Sequence, residues 1–231
     1  MKKALVMLSG GADSSTALAG AVQKFKTHAI FFDYGQRSAD FELTAARQIA
    51  RKFDVPLELV DISGLKRLFL GLHTEPIVAL GFKYSGGGGG VGNCPHGLFG
   101  IASTYCVTAG IELLVSGLHK DDVVGLTNPA GYFANWGAGI SELQGVEFEF
   151  SLPFIAMEKA EVLKIGHEFG VPFDATHSCS AEGKEHCGVC EPCIKRRKAF
   201  TASSLIDPTH CLLYTSPSPR DRTRSRMPSS A

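Results

Sequence analysis

No stretch of this sequence is apolar for long enough to cross a membrane. The opening Met1-Lys2-Lys3-Ala4-Leu5-Val6-Met7-Leu8 is basic and then apolar, as an export signal would be. The apolar run stops at Ser9-Gly10-Gly11, too short for a signal core with its cleavage site, so a first strand and a cytoplasmic protein are expected. A surplus of one charge is also missing, since Lys+Arg and Asp+Glu both number 23. Residues 211–231 hold four Arg and one Asp; without them 19 basic and 22 acidic residues remain. No basic stripe is left to mark a nucleic-acid surface, so neither nucleic acid nor membrane is expected as a direct partner. There is no internal repeat. Cysteine is sparse outside one short stretch, where four of the seven fall between 179 and 193. In a chain read as not exported, that clustering points to metal rather than disulfides.

The 231 residues suit one α/β domain with a small appendage. The expected division is an α/β nucleotide domain over 1–175, a cysteine knuckle with a closing helix over 176–210, and a tail over 211–231. In that tail, 211–221 has neither a helical nor a strand period and resembles a translated sequencing-library adapter. Residues 226–231 resemble the far end of the same adapter. The tail is therefore expected to be non-native and disordered, with native sequence running to about His210. A natural disordered tail is the other reading.

Ala4–Leu8, His28–Phe32 and Leu57–Val60 read as short buried strands. Ser14–Phe25 and Phe41–Phe53 read as the helices between them. A βαβαβ order predicts a doubly wound, Rossmann-like parallel sheet with right-handed crossovers. Residues 63–97 read as irregular, with a loop or lid at 85–92. Leu98–Ala109 is predicted as a helix and Leu113–Ser116 as a strand. Residues 120–145 read as loop-rich, with a turn at Asn128-Pro129-Ala130-Gly131. A strand at Glu147–Phe150 and helices at Glu158–Phe169 and Ile194–Ser204 complete the expectation.

Ser9-Gly10-Gly11-Ala12-Asp13-Ser14 lies between the first strand and the first helix. Glycines let the backbone turn tightly and present several N–H groups in one concavity, and the following helix aims its positive end there. Ser9 and Ser14 add hydroxyls. The segment is a candidate phosphate nest on the carboxyl edge of a parallel sheet. It lacks the Gly-Lys-Ser/Thr ending of a Walker loop, which argues against simple γ-phosphate transfer. A plain glycine turn with Ser14 as the helix N-cap is the alternative.

The second motif is Cys179-x7-Cys187-x2-Cys190-x2-Cys193. Cys-x2-Cys turns bring two thiolates onto one tetrahedral ion, and a four-thiolate site is closed, so structural zinc is expected. An iron–sulfur cluster is the alternative, although the spacing departs from ferredoxin runs. His177 and His186 flank the set and are read as supporting or surface residues. Cys94 and Cys106 have no partner at metal spacing and are read as free thiols, with a catalytic Cys94 left open.

The Ser9–Ser14 hexapeptide resembles the loop of the PP-loop ATP pyrophosphatases. Phe32-Asp33-Tyr34-Gly35-Gln36-Arg37, ending the second strand, resembles the 7-cyano-7-deazaguanine synthases, the QueC family. The knuckle sits where that family carries its own, so the likeness covers about residues 4–200. It implies an adenine-nucleotide alpha-hydrolase type of fold. It implies ATP cleaved between its α and β phosphates, with Ser9, Gly10, Gly11, Asp13 and Ser14 at the pyrophosphate end. Asp13 is implied in positioning Mg²⁺, and Asp33, Tyr34, Gly35 and Gln36 in bordering the nucleotide. Lys159, in a Lys-Ala-Glu run, is implied in stabilising charge at the phosphates. The implied reaction converts 7-carboxy-7-deazaguanine and free ammonia to the nitrile through adenylated acid and amide, in an enzyme often homodimeric.

Two runs depart from the family's pattern. Val91-Gly92-Asn93-Cys94-Pro95-His96-Gly97 lacks an arginine, and Asn128–Phe133 replaces a Ser-Gly-Tyr-Pro-Asp segment. Both departures flank the expected deazaguanine pocket. A paralogue stopping at the amide or conjugating the acid, a PP-loop tRNA thiolase, and a non-catalytic zinc scaffold therefore stay open.

Overall fold

The computed structural model describes residues 1–69, 95–209 and 211. Strand β1 (Lys3–Met7), helix α1 (Ala12–Val22), strand β2 (Lys26–Asp33), helix α2 (Ala39–Lys52) and strand β3 (Leu57–Asp61) follow one another. A 3-10 turn covers Ser63–Phe69. Beyond the undescribed residues come α3 (Pro95–Ala109), β4 (Leu113–Val115), α4 (Pro129–Gln144), β5 (Glu149–Ser151), α5 (Lys159–Glu168) and α6 (Glu191–Ser203). The five strands are all parallel in the order β3-β2-β1-β4-β5. The doubly wound expectation holds.

Strand alternation sorts the core into two layers. Ala4, Val6, Phe31 and Val115 face α1, α2 and α5, where Leu18, Ile49 and Val162 are buried. Leu5, Ile30, Phe32 and Leu114 face α3 and α4, meeting Phe99, Ala102 and Phe133. Connections run outward from β1 to β3 and outward again from β4 to β5. The chain reverses direction across the sheet between β1 and β4, and that reversal opens a crevice at their carboxyl ends.

A third cluster seats α6 against α1 and α5 through Ala19, Leu163, Phe173 and Phe200. The residues around the cysteines are thereby packed onto the helices of the α/β sheet. Helices α1 and α5 lie close enough that Gly166 is needed between them. A Cβ there would overlap Thr16 Oγ1 and come within 2.7 Å of Phe173 Cζ.

The loop expectation at 120–145 is corrected, because α4 fills Pro129–Gln144. Asn128 caps it, its Oδ1 accepting the Gly131 N–H at 2.9 Å. Pro129 takes the first turn, and Gly145 ends the helix in the left-handed region at φ 64°. The signals of a turn were thus the signals of a helix boundary. Glycines at 131, 137 and 139 thin the apolar stripe that would have revealed the period. The expected lid at 85–92 and the Asn93–Cys94 pair lie outside the described residues. So does all of the expected tail except Cys211, which is buried and forms a parallel bridge with His186.

Gly166→Ala should destabilise the domain by roughly 1–3 kcal/mol, because neither a hydroxyl nor a packed ring can withdraw freely. Thermal melting checks this; an unchanged Tm would contradict the packing described.

Candidate active site

Ser9–Ser14 emerges from β1 at the mouth of the crevice. Gly10 has φ 78°, and a Cβ on it would overlap the Glu42 carbonyl and lie 2.9 Å from Ala46 N of α2. Only glycine can hold this position. On the other side, a Cβ on Gly117, just past β4, would lie 2.7 Å from the Asp13 carbonyl carbon. The turn is thus clasped by two neighbours through bare backbone. Ser9 Oγ and Ser14 Oγ lie 3.0 Å apart, and the Ser9 N–H donates to Ser14 Oγ at 3.2 Å. The two hydroxyls lock the loop. Gly11 precedes α1 with no side chain capping the helix, so first-turn N–H groups are left for an anion.

Asp13 stands in the first turn of α1, and Lys159 opens α5. Their side chains form an ion pair between Lys159 Nζ and Asp13 Oδ2. The carboxylate suits the positive end of α1, whereas a lysine at the start of α5 opposes that helix's dipole. Capping of α5 falls to a reciprocal pair, Glu158 and Glu161, with the Glu158 N–H donating to Glu161 Oε2 at 2.7 Å. Lys159 is therefore placed against the preference of its own helix and takes its counter-charge from Asp13. Asp13 Oδ1 is buried with no hydrogen-bond partner among the described residues. An acceptor left in that state fits a cation or a donor on a ligand.

The carboxyl end of β2 borders the same loop. Asp33 Oδ1 accepts the Gly35 N–H at 2.9 Å. Gln36 is buried, and its amide is spent internally. Oε1 accepts from Tyr34 N–H at 2.9 Å, while Nε2 donates to the Phe32 carbonyl at 3.2 Å and to Glu42 Oε2 at 3.0 Å. Gln36 therefore shapes the 33–36 turn rather than presenting its side chain to the crevice.

Two residues absent from the sequence expectations join from β4. His119 is buried, its N–H donates to Asp122 Oδ2 at 3.0 Å, and its Nδ1 accepts from the Asp121 N–H at 3.3 Å. That leaves the Nε2 proton facing Asp122 Oδ2, 3.5 Å away. Lys120 N–H donates to the Met157 carbonyl at 3.0 Å, docking this turn beside the start of α5. Burial holds the Asp122 carboxyl above the usual range. His119 pulls it down, Asp13 pushes it up by like charge, and Lys159 pulls it down. Asp122 thus shares an electrostatic field with the Asp13–Lys159 pair. The readable signal was Ser116-Gly117-x-His119-x-x-Asp122 directly after a strand.

The four cysteines converge as their spacing implies. The Sγ atoms of Cys179, Cys187, Cys190 and Cys193 all lie within 4.8 Å of one another, and Cys179 and Cys190 are 3.9 Å apart. Thiolates about a tetrahedral ion at a 2.3 Å bond length stand roughly 3.8 Å apart, so the set accommodates one such ion. Backbone N–H groups of Ala181 and Cys187 point at Cys179 Sγ, each at 3.4 Å. Burial opposes ionisation of Cys190, but hydrogen bonds from Ser180 and Cys193 outweigh it and bring the thiol down to about 6. His177 and His186 are buried beside the set and are not part of it. Burial pushes His186 down to about 4, so it stays neutral. Cys106, on the buried face of α3, has its thiol raised to about 12 by burial, which leaves it inert.

The family described as "Queuosine biosynthesis protein QueC" matches residues 3–84 and 91–204. The chain belongs to the QueC family. Among curated QueC-type relatives, the 7-cyano-7-deazaguanine synthase of Methanothermobacter thermautotrophicus is 32% identical over 220 residues, covering 90% of this chain and 98% of that protein. The synthase of Psychromonas ingrahamii is 33% identical over 216 residues, covering 90% and 96%. A solved NMN synthetase from Francisella tularensis aligns at TM-score 0.49 and 15% identity, over 100% of this chain and 89% of that one.

Asp122 offers a pH test of this QueC-family crevice. A carboxyl whose folded-state pKa is raised destabilises the fold once ionised, and stability returns as pH falls through that pKa. Asp122→Asn keeps an acceptor for the His119 N–H and removes the charge. Its Tm should exceed that of the parent by on the order of 2 °C at pH 7, with the gap closing towards pH 4. A gap that is constant with pH would contradict the electrostatic account.

Proposed function

We propose that this QueC-family chain makes 7-cyano-7-deazaguanine from 7-carboxy-7-deazaguanine and ammonia, splitting ATP to AMP and pyrophosphate. One observation carries the reading. At the carboxyl edge of the sheet, the uncapped start of α1 meets the Asp13–Lys159 pair beside a glycine turn that admits no side chain. The names of the relatives, 7-cyano-7-deazaguanine synthases, support the same product.

In this reading Ser9, Gly10, Gly11, Asp13 and Ser14 hold the pyrophosphate end of ATP. The 33–36 turn, with Asp33, Tyr34 and Gly35 set by Gln36, borders the nucleoside. Lys159 neutralises charge that grows on the phosphates as the substrate carboxylate attacks. Asp13 Oδ1 is the acceptor available to Mg²⁺, which would supply further charge neutralisation. A carboxylate oxygen is a poor leaving group, and adenylation makes it leave as AMP. Ammonia then forms the C–N bond of an amide, and a second adenylation on the amide oxygen lets AMP leave again to give the nitrile. The four cysteines hold structural zinc. A cytoplasmic homodimer belongs to the same reading.

Incubation with ATP, Mg²⁺, ammonia and 7-carboxy-7-deazaguanine should yield AMP and the nitrile by mass spectrometry. Lys159→Met should lower kcat by roughly 10²- to 10³-fold. An amide with no nitrile would overturn the second step, and no AMP would overturn the reading entirely. Elemental analysis of purified protein should find one zinc per chain, lost in Cys190→Ser together with several degrees of Tm. Iron in place of zinc would refute that assignment.

A further inference from the structure

The carbonyl of Gly10 accepts a hydrogen bond from the His177 N–H at 2.9 Å. This bond links the candidate phosphate loop to the residues that enter the cysteine knuckle. His177 also stacks on Phe41 of α2, with ring centroids 5.7 Å apart at 27°, and α2 is the helix whose backbone abuts Gly10. The loop therefore takes its position from where residues 176–178 lie.

Arg196 decides where they lie. It is 1% exposed, on α6, three residues after Cys193. Its Nη1 donates to Thr176 Oγ1 at 2.8 Å and to Ser178 Oγ at 3.2 Å, bracketing His177 on both sides. Its Nη2 donates to the Phe173 carbonyl at 3.0 Å. Asp207 faces Nε through both carboxylate oxygens, at 3.1 and 3.0 Å, and the guanidinium lies 4.9 Å from the Phe200 ring centre. Cys179 follows Ser178 directly, so the first cysteine and the arginine fix the same short segment from two directions.

A buried ion pair is weak evidence for stability, since apolar residues of like volume often do as well. What a forked guanidinium supplies is geometry, here five acceptor atoms on four residues fixed at once. Geometry is what a glycine loop lacks by itself, because Gly10 has no side chain to anchor it, and binding groups need placement within about 0.5 Å.

We propose that Arg196 is a positioning residue for the phosphate loop, acting through His177 on Gly10. It sets the affinity for nucleotide without touching it. The inference rests on the nucleotide reading of Ser9–Ser14.

The test uses the full chain with Arg196→Lys, Arg196→Met and Asp207→Asn. Calorimetry with a non-hydrolysable ATP analogue and Mg²⁺ gives affinity, and hydrogen exchange gives protection of residues 9–12. Packed networks of this kind shift affinity by roughly 2- to 30-fold. Arg196→Met should weaken analogue binding within that range and speed exchange in the loop, while kcat at saturating ATP changes little. Arg196→Lys, which keeps the charge and loses the fork, should recover part of the affinity. A lower Tm with affinity and loop exchange untouched would overturn the proposal, since a purely structural role moves only the folded fraction. Should Arg196→Met not fold, Asp207→Asn decides: it removes the carboxylate that orients the guanidinium, so analogue binding should weaken and loop exchange quicken in the same direction, and both unchanged would overturn the proposal. A parent chain that binds no analogue would sink the functional reading instead, and loop exchange would then decide this one alone.

Discussion

Bare backbone crowded around the end of β1 is the constraint from which the rest of the molecule follows. The turn at Gly10 lies against the carbonyl of Glu42 on α2, and its far side lies against Gly117 beyond β4. Side chains at either glycine would push the elements apart and open the crevice. With both bare, the first turn, the end of β2 and the turn after β4 come together at the point where the sheet reverses direction. The strand order supplies the location, and the glycines supply the closeness.

Charge is distributed in keeping with that geometry. The starts of α1 and α5 both reach the crevice, and Lys159 adds a cation where the dipole of α5 disfavours one. Asp13 balances it, while Asp122 stands near enough to feel both. A site of this kind is ready for an anion of several charges, with carboxylates available to a cation that accompanies it. On the opposite side of the loop the cysteine knuckle is seated on α1 and α5 through α6, and His177 joins it to Gly10. The knuckle is therefore continuous with the wall of the site.

How much of this was legible depended on whether the information was local. Ser9–Ser14 could be read because its glycines, hydroxyls and position between strand and helix lie within six residues. The cysteines could be read because ligand spacing encodes their convergence. Helix α4 was misread as loop because Asn128-Pro129 and three glycines mimic turn chemistry, although the same residues start and end a helix. His119 and Asp122 were missed because nothing in their spacing says that a turn after the fourth strand meets a helix start some forty residues later.

By itself, then, the sequence determined the layer architecture, the first loop, the family likeness and the convergent cysteine set, all of which are written in periods and spacings of a few residues. Only tertiary structure decided that Lys159 pairs with Asp13, that Gln36 turns inward, and that Arg196 holds the segment gripping Gly10. The physical reason is that these are contacts between distant parts of the chain. Their partners are chosen by strand order and helix packing, which no short window of residues contains.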